Sequence, residues 1–118
     1  MIRSEDLFGV CPYFTSQKVL SGKWSMYILY LLTENETVRF NELQRMMPDD
    51  MTHTTLSRQL KLLEEGGLIN RKEYSQIPPK VEYSLSEIGN EFRTVVRSFG
   101  EWGKKYIQYM KTEGESHD

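Results

Sequence analysis

The clearest hydrophobic pattern in the chain lies between residues 52 and 67. Three leucines recur there at i, i+4 and i+7 and form one apolar face, namely Leu56, Leu60 and Leu63. Thr52 can accept a hydrogen bond from a free N–H of the first turn, and Gly66-Gly67 supplies the left-handed residue that commonly ends a helix. The pattern predicts one short amphipathic helix.

The opposite side of this predicted helix is polar. At ~100° per residue, Thr54, Arg58 and Lys61 fall together away from the leucines. Hydroxyl, guanidinium and ammonium groups suit a helix that lies in the major groove of DNA. Considered alone, the same face is more typical of an ordinary solvent-exposed surface.

Two helices and a brief strand lie directly before this helix. Residues 24–33 are apolar nearly all round, which predicts a buried central helix that is too short to span a membrane. After a brief strand at residues 38–40, Asn41 and Gln44 form a capping-box pattern for a helix over residues 42–47, with Leu43, Met46 and Met47 facing inward. Residues 48–50 form a turn, so the two capped helices predict a helix-turn-helix.

Residues 68–74 and 81–86 predict two strands that form a hairpin. The loop between them contains Pro78 and Pro79, which cannot donate to a strand ladder. A hairpin after a helix-turn-helix is the winged-helix arrangement. Arg71, Lys72 and Lys80 bring positive charge that could meet phosphates or a minor groove, although a solvated hairpin is an equally good interpretation.

Ser86 is expected to cap a final helix over residues 87–111. Its apolar positions follow a seven-residue repeat, the pattern of a seam between helices: Ile88, Phe92, Val95, Phe99, Trp102, Tyr106 and Tyr109. Such a helix is ~37 Å long. Part of it is expected to pack on residues 24–32, and the rest, from Phe92 to Tyr109, to meet a second copy of the chain. The fold class is therefore mainly α with a small β-hairpin, a winged helix-turn-helix with a long C-terminal dimerisation helix.

The domain is expected to span residues 11–111, between a flexible arm at residues 1–10 and a disordered tail at residues 112–118. Cys11 and Pro12 open a short helix at about residues 13–20, with Cys11 at or next to its N-cap. The positive end of the helix dipole favours the thiolate there and raises reactivity. A small buried hydrophobic side chain is an equally good interpretation of Cys11 on position alone.

Composition narrows the function. The net charge is −2, but residues 34–50 carry −3 whereas residues 53–80 carry +2, so the positive charge is local. One cysteine and two histidines cannot form a typical zinc site, and no catalytic constellation or phosphate loop occurs. We therefore expect a cytoplasmic protein without a metal or cofactor that is not an enzyme and contacts no membrane.

The chain resembles the HxlR family of winged-helix transcriptional regulators. The matching segments are CP at 11–12, GKW at 22–24, RFNEL at 39–43, LSRQLKLLEEGGL at 56–68, PPKVEYSLSEIG at 78–89 and EWG at 101–103. Two departures stand out before the recognition helix: the turn at residues 48–51 is one residue longer than the family pattern, and His53 replaces a proline.

The resemblance implies a homodimer, formed by the N-terminal helix and the long C-terminal helix, that binds double-stranded DNA at a two-fold operator. It also implies that Cys11 can sense electrophiles or oxidants through S-alkylation, a mixed disulfide or a Cys11–Cys11 bridge. In that regulator, Thr54, Arg58 and Lys61 approach base edges, Thr55 and Ser57 lie near the DNA backbone, and Arg39, Lys72 and Lys80 neutralise phosphates. A winged-helix module that binds only proteins, and a regulator that responds to a small ligand beside residues 24–32, remain alternatives.

Overall fold

The structure is a computed structural model that describes residues 11–116. The expected arm at residues 1–10 and the last two residues of the expected tail lie outside this range. The elements in chain order are α1 (Pro12–Val19), α2 (Ser25–Glu34), β1 (Val38–Arg39), α3 (Phe40–Met46), α4 (His53–Glu65), β2 (Ile69–Tyr74), β3 (Lys80–Leu85), α5 (Glu87–Glu91) and α6 (Arg93–Ser116). This order is that of a winged helix-turn-helix, as the sequence predicts.

The three strands form one antiparallel sheet in the order β1-β3-β2. Val38 pairs with Tyr83, while the hairpin pairs Ile69 with Leu85 and Tyr74 with Lys80. The predicted hairpin and brief strand are thus confirmed, although Phe40 belongs to α3 and not to the strand. The sheet covers one side of the core and projects the hairpin beside α4.

The predicted start of α3 is wrong. The helix begins at Phe40 directly after β1, and Arg39 occupies the N-cap position that was predicted for Asn41. The Glu42 carboxylate accepts a hydrogen bond from the Arg39 N–H at 2.9 Å, which stabilises this earlier start. With the helix beginning earlier, Leu43 and Met47 are buried but Met46 is exposed.

The central helix α2 is buried on one side only. Ile28, Leu29 and Leu32 lie in the core as predicted, but Tyr27 and Tyr30 are exposed, so the prediction of burial all round is wrong. The sheet, α4 and α6 pack against the inner side of α2, which leaves the two tyrosines exposed. The Tyr27 hydroxyl donates to the Met46 carbonyl at 3.1 Å, and its ring stacks on that of Tyr30.

Helix α4 has the predicted boundaries. The Thr52 hydroxyl accepts from the Thr55 N–H at 3.1 Å, and all three leucines of the apolar face are buried. Gly67 adopts φ 80°, and the Leu68 N–H donates to the Leu63 carbonyl, which is the hydrogen bond of a Schellman cap. The polar face of α4 is therefore held in a fixed orientation on the core.

The C-terminal region differs from the single helix expected over residues 87–111. It is divided at Phe92 into α5 and α6, and Ser86 caps α5 by accepting from the Gly89 N–H. Gly89 lies against the Leu68 carbonyl, where a Cβ would collide with the backbone. Helix α6 continues to Ser116, so residues 112–116 are helical and not a disordered tail. Gly114 weakens this last turn by only about 1 kcal/mol relative to alanine.

Helix α6 is anchored near its start. Val96 is buried, and Phe92 packs on the core of its own chain, which corrects its placement in an exposed seam. The Arg93 guanidinium donates to the Thr33 carbonyl at 2.7 Å and ties α6 to the end of α2. The other predicted seam residues of α6 are exposed: Val95, Phe99, Trp102, Tyr106 and Tyr109.

Candidate nucleic-acid interface

A cleft of about 670 Å³ separates the recognition helix α4 from the hairpin. Its walls come from α4, from the β1–α3 junction and from the hairpin. The charged and polar residues that line it are Arg39, Asn41, His53, Ser57, Lys61, Glu64, Arg71 and Lys80. Four of these are basic and one is acidic, so the cleft is a positively charged concave surface.

The structure brings four of the predicted DNA-binding residues together in this cleft: Arg39, Ser57, Lys61 and Lys80. Thr54 and Arg58 are exposed on α4 outside the cleft. Lys61 is exposed on the outer face of α4 and also lines the cleft. The outer face of α4 and the cleft therefore form one continuous surface. Thr55 is half-buried and takes part in the N-cap, where its hydroxyl accepts from that of Thr52 at 2.9 Å.

Lys72 lies on the other face of the hairpin. Strand alternation places Lys72 and Tyr74 on the face opposite to Arg71. The Lys72 and Lys80 ammonium nitrogens lie 4.9 and 4.5 Å from the centre of the Tyr74 ring. The structure thus places Lys72 beside the cleft residue Lys80 but outside the cleft itself.

The charge of Lys80 is partly balanced within the hairpin. Its Nζ lies 3.6 Å from a carboxylate oxygen of Glu82. A side-chain hydrogen bond from Tyr74 and the charge of Lys80 lower the pKa of Glu82 below its usual value. Glu82 therefore stays ionised and weakens the positive potential of Lys80.

Arg71, one of the three hairpin cations named from the sequence but not among the residues then assigned to DNA contact, lines the cleft. Its side chain hydrogen-bonds to Tyr83, which raises the pKa of Arg71, and it lies 3.4 Å from a carboxylate oxygen of Glu73. Arg71 and Lys72 are neighbouring cationic residues of β2. Because side chains alternate along a strand, they lie on opposite faces of the hairpin, and only Arg71 lines the cleft beside α4. Alternation of side chains along β2 was the sequence feature that could have distinguished Arg71 from Lys72.

His53 was also missing from the predicted set. It is the first residue of α4, and its ring lies 4.4 Å from that of Phe40, centre to centre. This contact joins the start of the recognition helix to α3. The departure from the family pattern at this position thus lies directly in the wall of the cleft.

Gln59 links the inner side of the recognition helix to the residue before α2. It lies between Leu56 and Leu63 on the apolar face of α4, and its Oε1 accepts from the Trp24 N–H at 3.1 Å. A Cβ at Gly22 would come within 2.5 Å of the same oxygen, so the turn before α2 packs closely on α4. A polar residue in the leucine stripe was the sequence signal of this contact.

Cys11 occupies the N-cap of α1 and Pro12 the first helical position, as predicted. The Cys11 carbonyl accepts from the N–H and from the hydroxyl of Thr15, each at 3.0 Å. Cys11 is half-buried, and the neighbouring Tyr13 and Phe14 are exposed. None of the residues of α1 itself is buried.

None of the helices in residues 11–116 combines the length and apolarity needed to cross a membrane. Within the same range, no cluster of three His, Cys, Asp or Glu side chains could hold a metal ion.

Known proteins are similar to this chain in sequence and architecture. The model of the HxlR-like helix-turn-helix family matches residues 19–111. The chain is 46% identical over 94 residues to the HTH-type transcriptional regulator BH0655 of Halalkalibacterium halodurans, an alignment that covers 80% of this chain and 82% of that protein.

Solved structures of two regulators resemble the fold of this chain. The redox regulator HypR in its reduced form superposes with a TM-score of 0.78 at 35% identity, covering 86% of this chain and 99% of that chain. The reduced form of the transcriptional regulator YodB of Bacillus subtilis gives a TM-score of 0.66 at 26% identity, covering 82% and 94%. These relatives are transcriptional regulators and not enzymes, and this chain belongs to the HxlR-like helix-turn-helix family as a transcriptional regulator.

Proposed function

We propose that the protein binds a two-fold operator in double-stranded DNA as a homodimer, with α4 of each subunit in the major groove. The continuity between the exposed outer face of α4 and the positively charged cleft carries this proposal. A helix must present uncovered polar side chains to reach base edges, and cations beside it must meet the flanking phosphates.

The side chains divide into two roles. Thr54, Arg58 and Lys61 contact base edges, because they occupy the exposed face of α4. Arg39, Arg71 and Lys80 surround that helix and contact phosphates, with Thr55 and Ser57 near the DNA backbone and Lys72 on the outer face of the hairpin. Phosphate contacts fix the position of the protein, whereas base contacts give sequence preference.

Replacement of Arg58 tests the assigned recognition face. A duplex recovered by repeated selection from a random-sequence library with the wild-type protein serves as the probe. Arg58→Ala should weaken binding to this duplex by ~1–3 kcal/mol and relax the preference at one base position. Lys104→Ala, which removes one positive charge from an exposed site on α6, is the matched control and should leave binding unchanged. Equal affinities for wild-type protein and Arg58→Ala would contradict the assignment.

The dimer is supported by the exposed aromatic face of α6. Two-fold operators require two recognition helices, and in dimers these lie ~34 Å apart, one turn of DNA. The face between Val95 and Tyr109 is too apolar to stay in water, and its seven-residue repeat suits a helix from a second subunit.

Cys11 is proposed to sense electrophiles or oxidants. Its place at the N-terminus of α1, its partial exposure and the likeness to the redox regulator HypR support this role. Diamide takes two electrons from two thiolates, which then share one disulfide, either between two Cys11 side chains or between Cys11 and a small thiol. Cys11→Ser should bind the selected duplex normally and keep binding it in diamide, whereas the wild-type protein releases it. Release by the mutant would exclude sensing at this residue.

A protein-interaction module without DNA binding is the second candidate, and the net charge of −2 favours it. A gel shift on random duplex at low salt separates the two, because a DNA-binding protein shows association that weakens steeply with salt.

A further inference from the structure

The tip of the hairpin carries an isolated apolar side chain. Ile77 is 100% exposed in the connection of five residues, 75–79, between β2 and β3. Single exposed apolar residues are common on protein surfaces. Ile77 is distinguished by its position, because it projects from the end of a hairpin that flanks the recognition helix.

Two prolines stiffen the tip of the hairpin, and two cationic side chains lie at the base of its loop. Pro78 and Pro79 fix two backbone φ angles immediately after Ile77. At the base of the loop, Lys72 and Lys80 lie over the Tyr74 ring, one from each strand. The hairpin therefore presents a rigid apolar point with cations set behind it, where phosphates on either side of a groove would lie.

The tip is continuous with the proposed DNA surface. Pro78 and Pro79 line the same cleft as Ser57 and Lys61 of α4. If α4 lies in the major groove, the hairpin beside it reaches across the phosphates towards the adjacent minor groove. That groove is about 6 Å wide, which is too narrow for a two-stranded hairpin but wide enough for one side chain at its tip.

The chemistry of the tip decides how it would use this groove. Residues 75–79, Ser-Gln-Ile-Pro-Pro, contain no charged side chain, so a cation inserted into a narrow minor groove is not available at the tip. Isoleucine and proline are among the side chains that proteins insert as apolar wedges between base steps.

On the basis of the DNA binding proposed above, we propose that Ile77 is a minor-groove wedge. It enters the groove beside the base pairs contacted by α4, partly unstacks one base step and bends the duplex towards the major groove. It thereby determines specificity through deformability and favours pyrimidine–purine steps such as TA, which unstack most readily.

The test uses the full-length protein and the selected duplex defined above, placed at several positions within longer fragments. Electrophoretic mobility of these permuted fragments reports the bend, and 2-aminopurine fluorescence at the flanking step reports unstacking. The wild-type protein should bend the duplex by roughly 20° or more at each hairpin. Ile77→Ala should lose most of this bend and bind roughly three- to tenfold more weakly, since it removes most of the apolar surface.

Two further variants serve as matched controls. Ile77→Met keeps an apolar side chain of similar size and should retain the bend and the preference for a TA step. Gln76→Ala changes the neighbouring tip residue without touching the wedge and should behave as the wild-type protein does. Since all three substitutions are at exposed positions, the unfolding curves of the variants should superpose on that of the wild-type protein.

The outcomes separate this inference from the proposed function. If the wild-type protein binds the duplex but Ile77→Ala keeps its affinity, bend and step preference, the wedge is overturned while DNA binding stands. Equal losses in Gln76→Ala and Ile77→Ala would also overturn it, because they would point to loop conformation. If the wild-type protein selects no duplex, the proposed function fails and the wedge fails with it.

Discussion

Helices α4 and α6 carry the same kind of sequence pattern but differ in what covers their apolar faces. The leucines of α4 are buried in the core of their own chain. On α6, Phe99 is 57% and Trp102 61% exposed, whereas Val96, near its start, is only 6% exposed. A periodic pattern therefore predicts an apolar face but does not indicate whether the same chain covers it.

Helix lengths explain the difference. Helix α2, which contacts α6, has 10 residues, whereas α6 has 24. At 1.5 Å per residue these correspond to ~15 and ~36 Å, so α2 can cover less than half of α6. The contact between Arg93 and Thr33 fixes the start of α6 at the end of α2, and the aromatic part projects beyond it.

The largest expected effect concerns the covered face. Leu60→Ala removes a buried side chain from α4 and should lower the free energy of unfolding by ~2–5 kcal/mol, because it leaves a cavity. Urea denaturation at fixed protein concentration measures this change. Leu62→Ala, on the exposed side of the same helix, should change stability by less than about 0.5 kcal/mol. Similar losses in the two variants would remove the distinction between the faces of α4.

The next effect concerns the uncovered face. Trp102→Ala should weaken self-association by roughly 2 kcal/mol, about 30-fold in the dimer dissociation constant, because buried tryptophans dominate interfaces. Sedimentation equilibrium measures this constant. Lys104 lies ~200° round the helix from Trp102, so Lys104→Ala should leave the constant unchanged. A Trp102→Ala protein that associates as the wild type does would show that this face is not the subunit contact.

The smallest effect concerns the start of α4. Thr52→Ala removes the hydroxyl that accepts from the Thr55 N–H, and should cost about 1 kcal/mol of stability. Thermal unfolding compares it with Thr54→Ala, the same change at an exposed helical position without this bond, which should stay within about 0.5 kcal/mol of wild type. A larger loss in Thr54→Ala than in Thr52→Ala would show that α4 does not depend on its cap.

Some parts of the candidate interface could be predicted from the sequence and others could not. The local pattern was sufficient to predict that Arg58 and Lys61 lie on the exposed face of α4, because helical periodicity alone places them opposite the leucines. It was insufficient for Arg71 and His53, because their place in the cleft depends on how the hairpin and α3 pack beside α4. Gln59 gave a signal as a polar residue in an apolar stripe, but its partner, Trp24, is 35 residues away.

Elements whose causes are local follow from the amino-acid sequence alone. The cap at Thr52, the glycine at residue 67 and the leucine repeat specify α4 through hydrogen bonds and periodicity within one segment. Packing between elements sets the break at Phe92, the exposure of Tyr27 and Tyr30, and the length over which α6 is covered. These depend on the distances between elements that are remote in sequence, which no local pattern contains.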